Sequence, residues 1–117
     1  MGTWDHGPFD NDRARDTVRQ LAEGTFRMDQ FRFDCGEGPL DSESAEAVVA
    51  LNAVLNGHVP RPEDAPALDF EFSFRDRRWL QAKLREALDP AHSELYELWR
   101  EAGELKEWLD ATGRVIH

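Results

Sequence analysis

The chain has 117 residues, 40% hydrophobic and 32% charged, and its 24 acidic residues exceed its 14 basic residues to give a net charge of −10. This composition is typical of a globular domain and differs from that of disordered chains, and no apolar run approaches the roughly 20 residues that a membrane-spanning helix needs. The excess of carboxylates also argues against nucleic-acid binding, because phosphate recognition requires clustered Lys and Arg.

The cysteine count and the N-terminus indicate the compartment. Cys35 is the single cysteine, so the chain can form neither an internal disulfide nor a multi-cysteine zinc site, as is common in a reducing cytoplasm. Asp5 and Asp10 stand where a secretory signal would have a basic and then an apolar stretch. We therefore predict a cytoplasmic protein with no membrane association and no cofactor. Cys35 is predicted to be a packing residue, since neighbouring carboxylates such as Asp34 raise a thiol pKa.

The first predicted helix runs from Asp10 to Glu23. Its apolar residues fall on one stripe at helical spacing: Ala14, Val18, Leu21 and Ala22. Asp10 is predicted to be the N-cap, and Phe9 to pack on Ala14 as a hydrophobic staple. Gly24 follows as the residue that ends the helix.

A second helix is predicted from Asp41 or Ser42 to Asn56, ending at Gly57. Its apolar residues wrap almost the whole circumference: Ala45, Ala47, Val48, Val49, Ala50, Leu51, Ala53, Val54 and Leu55. A helix of that kind must be covered on most sides, so we expect it at the centre of the fold.

Two further helices are predicted after an irregular connection. Residues 58–68 contain three prolines, each of which lacks a backbone donor and restricts its predecessor. A third helix then spans Asp76 to Leu88, and a fourth runs from Pro90 to about Ala102. The apolar seam of the fourth continues past Gly103, so the chain either carries on to about Thr112 as one kinked helix or breaks at this glycine.

Two short segments, residues 26–33 and 70–74, have mostly alternating apolar side chains, a pattern typical of strands that could pair. The chain as a whole is therefore predicted to be mainly α. It is expected to form a single helical domain over residues 1–117, a bundle of four to five helices with a minor two-stranded β element if these segments pair.

The N-terminal sixteen residues carry the pattern M-G-T-W-x-x-G-x-F-x-N-D-x-A-x-D, with its fixed positions at Gly2, Thr3, Trp4, Gly7, Phe9, Asn11, Asp12, Ala14 and Asp16. A later run, S-E-L-x-x-L-W-x-E, spans residues 93–101 and is followed by Trp108. With the alanine-rich second helix, these motifs resemble the bacterial family known as domain of unknown function 4259 over essentially the whole chain. The resemblance implies a small, mostly helical bacterial protein and no particular activity.

Four residues of this signature are predicted to have structural roles. Trp4 and Phe9 are placed to strap the N-terminus onto the bundle. Asn11 and Asp12 put polar and negative groups at the positive end of the first helix.

The same segment could instead hold a metal ion. Asp12 and Asp16 share a helix face, and Asp10 and His6 could fold back over the same end. Several oxygen ligands of this kind suit Mg²⁺ or Ca²⁺. Capping and ion pairing are simpler roles for the same carboxylates. A small metal-dependent hydrolase is therefore the alternative function, with no catalytic set beyond these residues.

The C-terminal region carries an acidic stripe beside its apolar seam. Glutamates recur every three or four residues next to leucines, and the residues predicted to form an interaction surface are Glu94, Glu97, Leu98, Glu101, Leu105 and Trp108. A solvated helix face is the plain alternative. We predict an interaction module that binds a basic or apolar surface of a protein partner, or a second copy of the chain, in a toxin-neutralising or regulatory role.

Overall fold

The computed structural model describes residues 7–116, with side chains described for residues 7–114. Within this range the chain forms six α-helices and one 3-10 helix: α1 Asp12–Glu23, α2 Met28–Cys35, α3 Ser42–Leu55, the 3-10 helix Pro62–Asp69, α4 Phe74–Ala87, α5 Glu94–Glu101 and α6 Leu105–Ile116. The mainly α prediction is confirmed. The predicted count of four to five helices is too low, because α2 and the 3-10 helix were not predicted as helices. None of the described helices has both the length and the apolar composition needed to cross a bilayer.

Helix α3 lies at the centre, as predicted. It contacts α1, α4, α5 and α6 as well as the 3-10 helix, and every residue from Ala47 to Val54 is buried. Asn52, 3% exposed, is polar within this core, and its side-chain amide donates to the carbonyls of Val48 and Leu80. These bonds satisfy the buried amide and join α3 to α4.

The start of α1 differs from the prediction by one residue. Asn11, not Asp10, is the N-cap: its backbone is extended and its side-chain oxygen accepts the N–H of Ala14 at 2.7 Å. Asp10 instead accepts the N–H of Gly7 at 3.1 Å, in the turn that precedes the helix. The predicted end is confirmed, because Gly24 adopts the left-handed conformation at φ +75°.

The prediction of an irregular connection over residues 58–68 is wrong in its second half, where the 3-10 helix lies. Pro62 stands in its first turn, where the missing N–H has no helical partner to lose. Ala67 is fully buried, and the helix packs mainly against α1. Pro66 lies inside this helix and has no backbone N–H to donate there.

The two predicted strands do not form a ladder. Residues 28–35 are α2, whose buried positions Met28, Phe31 and Cys35 follow helical spacing. Residues 70–73 connect the 3-10 helix to α4 without helix or strand. The two segments nevertheless lie side by side through their rings, since the centroids of Phe26 and Phe70 are 5.7 Å apart. The predicted packing role of Cys35 is confirmed, and its burial raises the pKa of the thiol.

At Gly103 the chain breaks rather than continuing as one helix. Gly103 has φ +77°, and α5 and α6 are separate helices on either side of it. The turn brings Trp99 of α5 onto Trp108 of α6, with ring centroids 6.3 Å apart and planes inclined by 12°. The two helices therefore fold back on each other, and the apolar seam predicted to run through both is divided.

Candidate functional site

Two of the three N-terminal carboxylates, Asp10 and Asp16, have a local partner. Asp10 accepts the Gly7 N–H, and Asp16 is ion-paired with Arg19 and accepts a hydrogen bond from Gln20 at 3.2 Å. Asp12 lies exposed in the first turn of α1. Among the described residues no group of three or more His, Cys, Asp and Glu side chains is placed to hold a metal ion. His6 lies outside the described residues, so the metal hypothesis that includes it stays a prediction.

The signature residues have structural roles wherever they are described. Asn11 caps α1 from a buried position, and Phe9 is 8% exposed and belongs to the core. Asp12 stands at the positive end of the α1 dipole, where a carboxylate is favourable. Trp4 lies outside the described residues.

A short backbone bridge fixes the position of α5. The N–H of Leu40 donates to the carbonyl of His92 at 2.9 Å, and the N–H of Glu94 donates to the carbonyl of Leu40 at 3.0 Å. Ser93 then caps α5 by accepting the N–H of Tyr96 at 3.2 Å. The first turn of α5 is thereby held beside the first turn of α3.

The predicted interaction residues divide between surface and core. Glu94 and Glu101 are exposed, and Leu98 is 39% exposed on the same helix. Glu97 is half-buried and ion-paired with Arg100. Leu105, on α6, is partly buried against the core.

Trp108 does not belong to the surface. It is 3% exposed, so its predicted place in an interaction face is wrong, and it packs in the core against Trp99. The physical reason is the break at Gly103, which turns α6 back onto α5. A continuous helix would have left the two tryptophans nine residues apart along one axis.

A first groove, of about 460 Å³, runs between α5 and the first turns of α1 and α3. Its carboxylates come from two helices, α1 and α3, and the loop after α5: Asp12, Glu43, Glu46 and Glu104. Its apolar lining is Leu95, Leu98, Trp99 and Ala102, and Arg13 and Ser42 complete it. Carboxylates distant in sequence are therefore brought together by tertiary packing.

A second groove, of about 480 Å³, lies on the other side of Leu98. It is lined by three carboxylates and by prolines, alanine and serines: Glu94, Glu97, Glu101, Pro39, Pro90, Ala91, Ser42 and Ser93. We call the two grooves, with Leu98 between them, the acidic surface. Among the residues that line them, Arg13 is the one cation.

Glu46 shows how strongly carboxylates are crowded in the first groove. Burial raises its pKa to about 7, and the nearby Glu43 and Asp12 add to the rise, while Arg13 opposes it. The Nε of Arg13 is itself buried and, within the described residues, has no hydrogen-bond partner. The first groove thus holds more carboxylates than cations, and the Nε of its one arginine is unsatisfied among the described residues.

The sequence pattern predicts the part of the acidic surface that lies on α5 but not the part formed by α1 and α3. The spacing of the glutamates on one helix predicted Glu94, Glu97 and Glu101. Asp12 and Glu46 lie more than thirty residues apart, and nothing local in the sequence places them together. The packing of α1 and α5 onto α3 does so.

A family model described as a domain of unknown function (DUF4259) matches residues 2–111. No curated protein and no solved structure matches the chain. The matched range includes the N-terminal pattern and all of α5, and hence both halves of the acidic surface.

Proposed function

The chain belongs to the family described as domain of unknown function 4259, and because that description assigns no activity, we propose a function from the geometry: a protein-protein interaction module whose acidic surface binds a basic segment of a partner protein. The proposed setting is the bacterial cytoplasm, in line with the single buried cysteine and the family resemblance. A toxin-neutralising or regulatory role would use the same surface.

The proposal rests on the arrangement of carboxylates around Leu98. Carboxylates from α1, α3 and α5 surround a partly exposed leucine, Leu98, between two grooves whose lining includes a single cation. Like charges held close together repel; the pKa of Glu46 is raised chiefly by burial, and the nearby Glu43 and Asp12 add to the rise. A Lys or Arg side chain placed in either groove would relieve the repulsion.

The two components of the surface would contribute differently to binding. Leu98 and the half-buried Trp99 offer apolar area, which favours the bound state at roughly 25 cal/mol per Å² buried. The carboxylates, in a chain of net charge −10, would steer a basic partner and raise the association rate. We therefore expect salt to slow association more than it speeds dissociation.

A defined basic peptide tests the proposal. The probe is a labelled synthetic amphipathic helix with lysines every three or four residues beside leucines, and a scrambled peptide of equal charge is its control. We expect saturable binding to the full chain. The double variant E94Q/E101Q should weaken binding roughly five- to tenfold.

The matched control is E63Q/E71Q, which changes net charge by the same amount at exposed glutamates outside both grooves. It should bind the peptide like the wild type. Equal weakening by both double variants, or equal binding of the scrambled peptide, would mean that net charge alone attracts the peptide and would refute a defined site.

The metal-dependent alternative has its own test. Calorimetry with Mg²⁺, Mn²⁺ and Zn²⁺ should show no saturable binding if Asp12 and Asp16 serve only the local roles they have here. Binding that disappears in D12A/D16A, with the fold intact by circular dichroism, would instead favour the alternative function.

A further inference from the structure

The arginines of α4 differ from those on most of the surface. Arg19, Arg27, Arg61 and Arg100, on other elements, each form an ion pair with a nearby carboxylate. Within the described residues, the four exposed arginines of α4, Arg75, Arg77, Arg78 and Arg85, form none. Arg77 donates to the carbonyl of Phe72 at 3.5 Å and Arg78 lies over the ring of Phe74, but neither partner neutralises the charge. In a chain with ten more carboxylates than cations, four arginines without an ion pair among the described residues are unexpected, and their charge is available to an external anion.

Two of these arginines line a groove of about 530 Å³ between α4 and the C-terminal half of α3. Arg77, Gln81 and Arg85 recur every four residues along one side of α4. The remaining lining is Leu55, Leu84, Leu88, Asn52 and Asn56, and no carboxylate is among the lining residues. We call this the basic groove. Its chemistry is an apolar floor with a cationic edge.

The dimensions and chemistry of the acidic α5 face match this groove. Arg77 and Arg85 are eight residues apart, about 12 Å along a helix, and Glu94 and Glu101 are seven residues apart, about 10 Å. Leu98, 39% exposed, stands between the two glutamates. With the two surfaces in contact, each arginine would lie opposite a glutamate, and Leu98 would lie against the apolar floor of the basic groove.

We propose that the occupant of the basic groove is a second copy of this chain, which inserts the Glu94, Leu98 and Glu101 face of its α5. This inference rests on the proposed function in that both use the acidic surface. It adds the identity of one partner and a second interface, the basic groove.

The position of the two surfaces determines the kind of assembly. The acidic surface includes the first turn of α3 and the basic groove includes its last turn, about 20 Å away along a helix of 14 residues. A single one-way contact between these two patches is heterologous and leaves one acidic surface and one basic groove unoccupied at the ends of the assembly. Association should therefore continue beyond a dimer, and a basic partner on the acidic surface should compete with it.

Sedimentation equilibrium on the full chain, with charge-reversed variants, tests the inference. The wild type should show a weight-average mass that rises with concentration above the 13.4 kDa of one chain. R77E/R85E should be monomeric, and so should E94R/E101R, because in each variant the two pairs of residues that would meet, 94 and 101 on one copy and 77 and 85 on the other, carry the same sign. An equimolar mixture of the two variants should associate again, because each then meets its complement.

The control R19E/R27E has the same net charge as R77E/R85E and changes exposed arginines outside the basic groove. It should associate like the wild type. A wild type that stays at 13.4 kDa up to about 1 mM, a mixture that stays monomeric, or a control that loses association as fully as R77E/R85E would each overturn the inference. If R77E/R85E is unfolded by circular dichroism, R85A replaces it and should weaken association several-fold.

The two proposals fail separately. The labelled basic peptide is also titrated against R77E/R85E, whose acidic surface is unchanged. Peptide binding without self-association of the wild type would overturn the inference and leave the proposed function standing. Self-association that obeys the charge reversals, without peptide binding, would refute the binding of a basic segment and leave the contact between copies.

Discussion

The two ends of α3 have opposite electrostatic surroundings. Near its N-terminus, Glu43 and Glu46 line the first groove with Asp12, and the glutamates of α5 line the second groove beside it. At the last turn, Asn52 and Asn56 face Arg77 and Arg85. The dipole of a helix favours this arrangement, because its N-terminus is positive and its C-terminus negative. Part of the charge separation therefore stabilises α3.

The helix dipole does not account for the whole of this charge separation. Its effect falls off within one turn, whereas Glu94, Glu101 and Arg85 stand on other helices and are exposed. The comparison thus separates charges that serve the central helix from charges that are available for binding. Substitutions at the middle of α3, at its acidic end and at its cap should distinguish these roles.

The largest effect is expected from the middle of α3, which holds both ends in place. Leu51 is fully buried, and L51A should lower the free energy of unfolding by about 2–5 kcal/mol, because it removes apolar contacts and leaves a cavity. Chemical denaturation followed by circular dichroism measures this.

L98A is the matched control, since it removes the same atoms from a leucine that is 39% exposed. It should change the free energy of unfolding by less than about 1 kcal/mol and should weaken binding of the basic peptide. A comparable loss of stability in both variants would mean that Leu98 belongs to the core and not to the acidic surface.

The contrast between helices that were predicted and those that were not has a physical basis. Helix α3 is apolar around almost its whole circumference, and Gly24 and Gly103 mark helix ends with positive φ, so these features are visible in the sequence. In α2, the helical spacing of Met28, Phe31 and Cys35 is overlaid by the alternation of Phe31 with Phe33, which is 81% exposed. An exposed phenylalanine cannot be told from a buried one by pattern alone.

The acidic surface was predictable to the extent that it lies on one helix. The spacing of Glu94, Glu97 and Glu101 sufficed for α5. Trp108 was misplaced because the direction of α6 after Gly103 depends on tertiary packing. The place of Glu46 in the acidic surface and the formation of the basic groove depend on which helices pack together. Neither the periodicity nor the composition of the sequence specifies that packing.

The acidic end of α3 should make the stability of the fold depend on pH. Glu46 has a pKa of about 7 in the folded chain and an ordinary value of 4.5, because of burial and the nearby Glu43 and Asp12. At a pH between these two pKa values, the folded state keeps the Glu46 proton, whereas the unfolded state has released it. The neutral carboxyl therefore contributes stability that is fully present below about pH 4.5 and is lost as pH rises through about 7.

The substitution E46Q removes this titration. Its free energy of unfolding should match that of the wild type near pH 4.5 and exceed it by about 1–2 kcal/mol above pH 7, a value reduced from the full shift because the side chain is only half-buried and Arg13 is near. Urea unfolding at several pH values measures the difference. A constant difference at all pH values would show that Glu46 does not titrate in this range. In E43Q, carboxyl NMR should show a lower pKa for Glu46.

The smallest effect is expected at the cap of α3, where a carboxylate lies at the acidic end without lining either groove. Asp41 accepts the N–H of Ser44 at 2.7 Å. D41A should therefore lower the free energy of unfolding by about 1 kcal/mol, whereas D41N keeps a capping oxygen and should lower it by less. Thermal unfolding measures both.

The basic peptide should bind D41A as it binds the wild type, because Asp41 is not among the residues that line the acidic surface. Together with E94Q/E101Q, which should weaken peptide binding and keep stability, D41A separates the two roles of negative charge at the same end of α3. If D41A weakened peptide binding as much as E94Q/E101Q does, the peptide would be responding to the net charge of that end. The grooves on either side of Leu98 would then have no role in recognition.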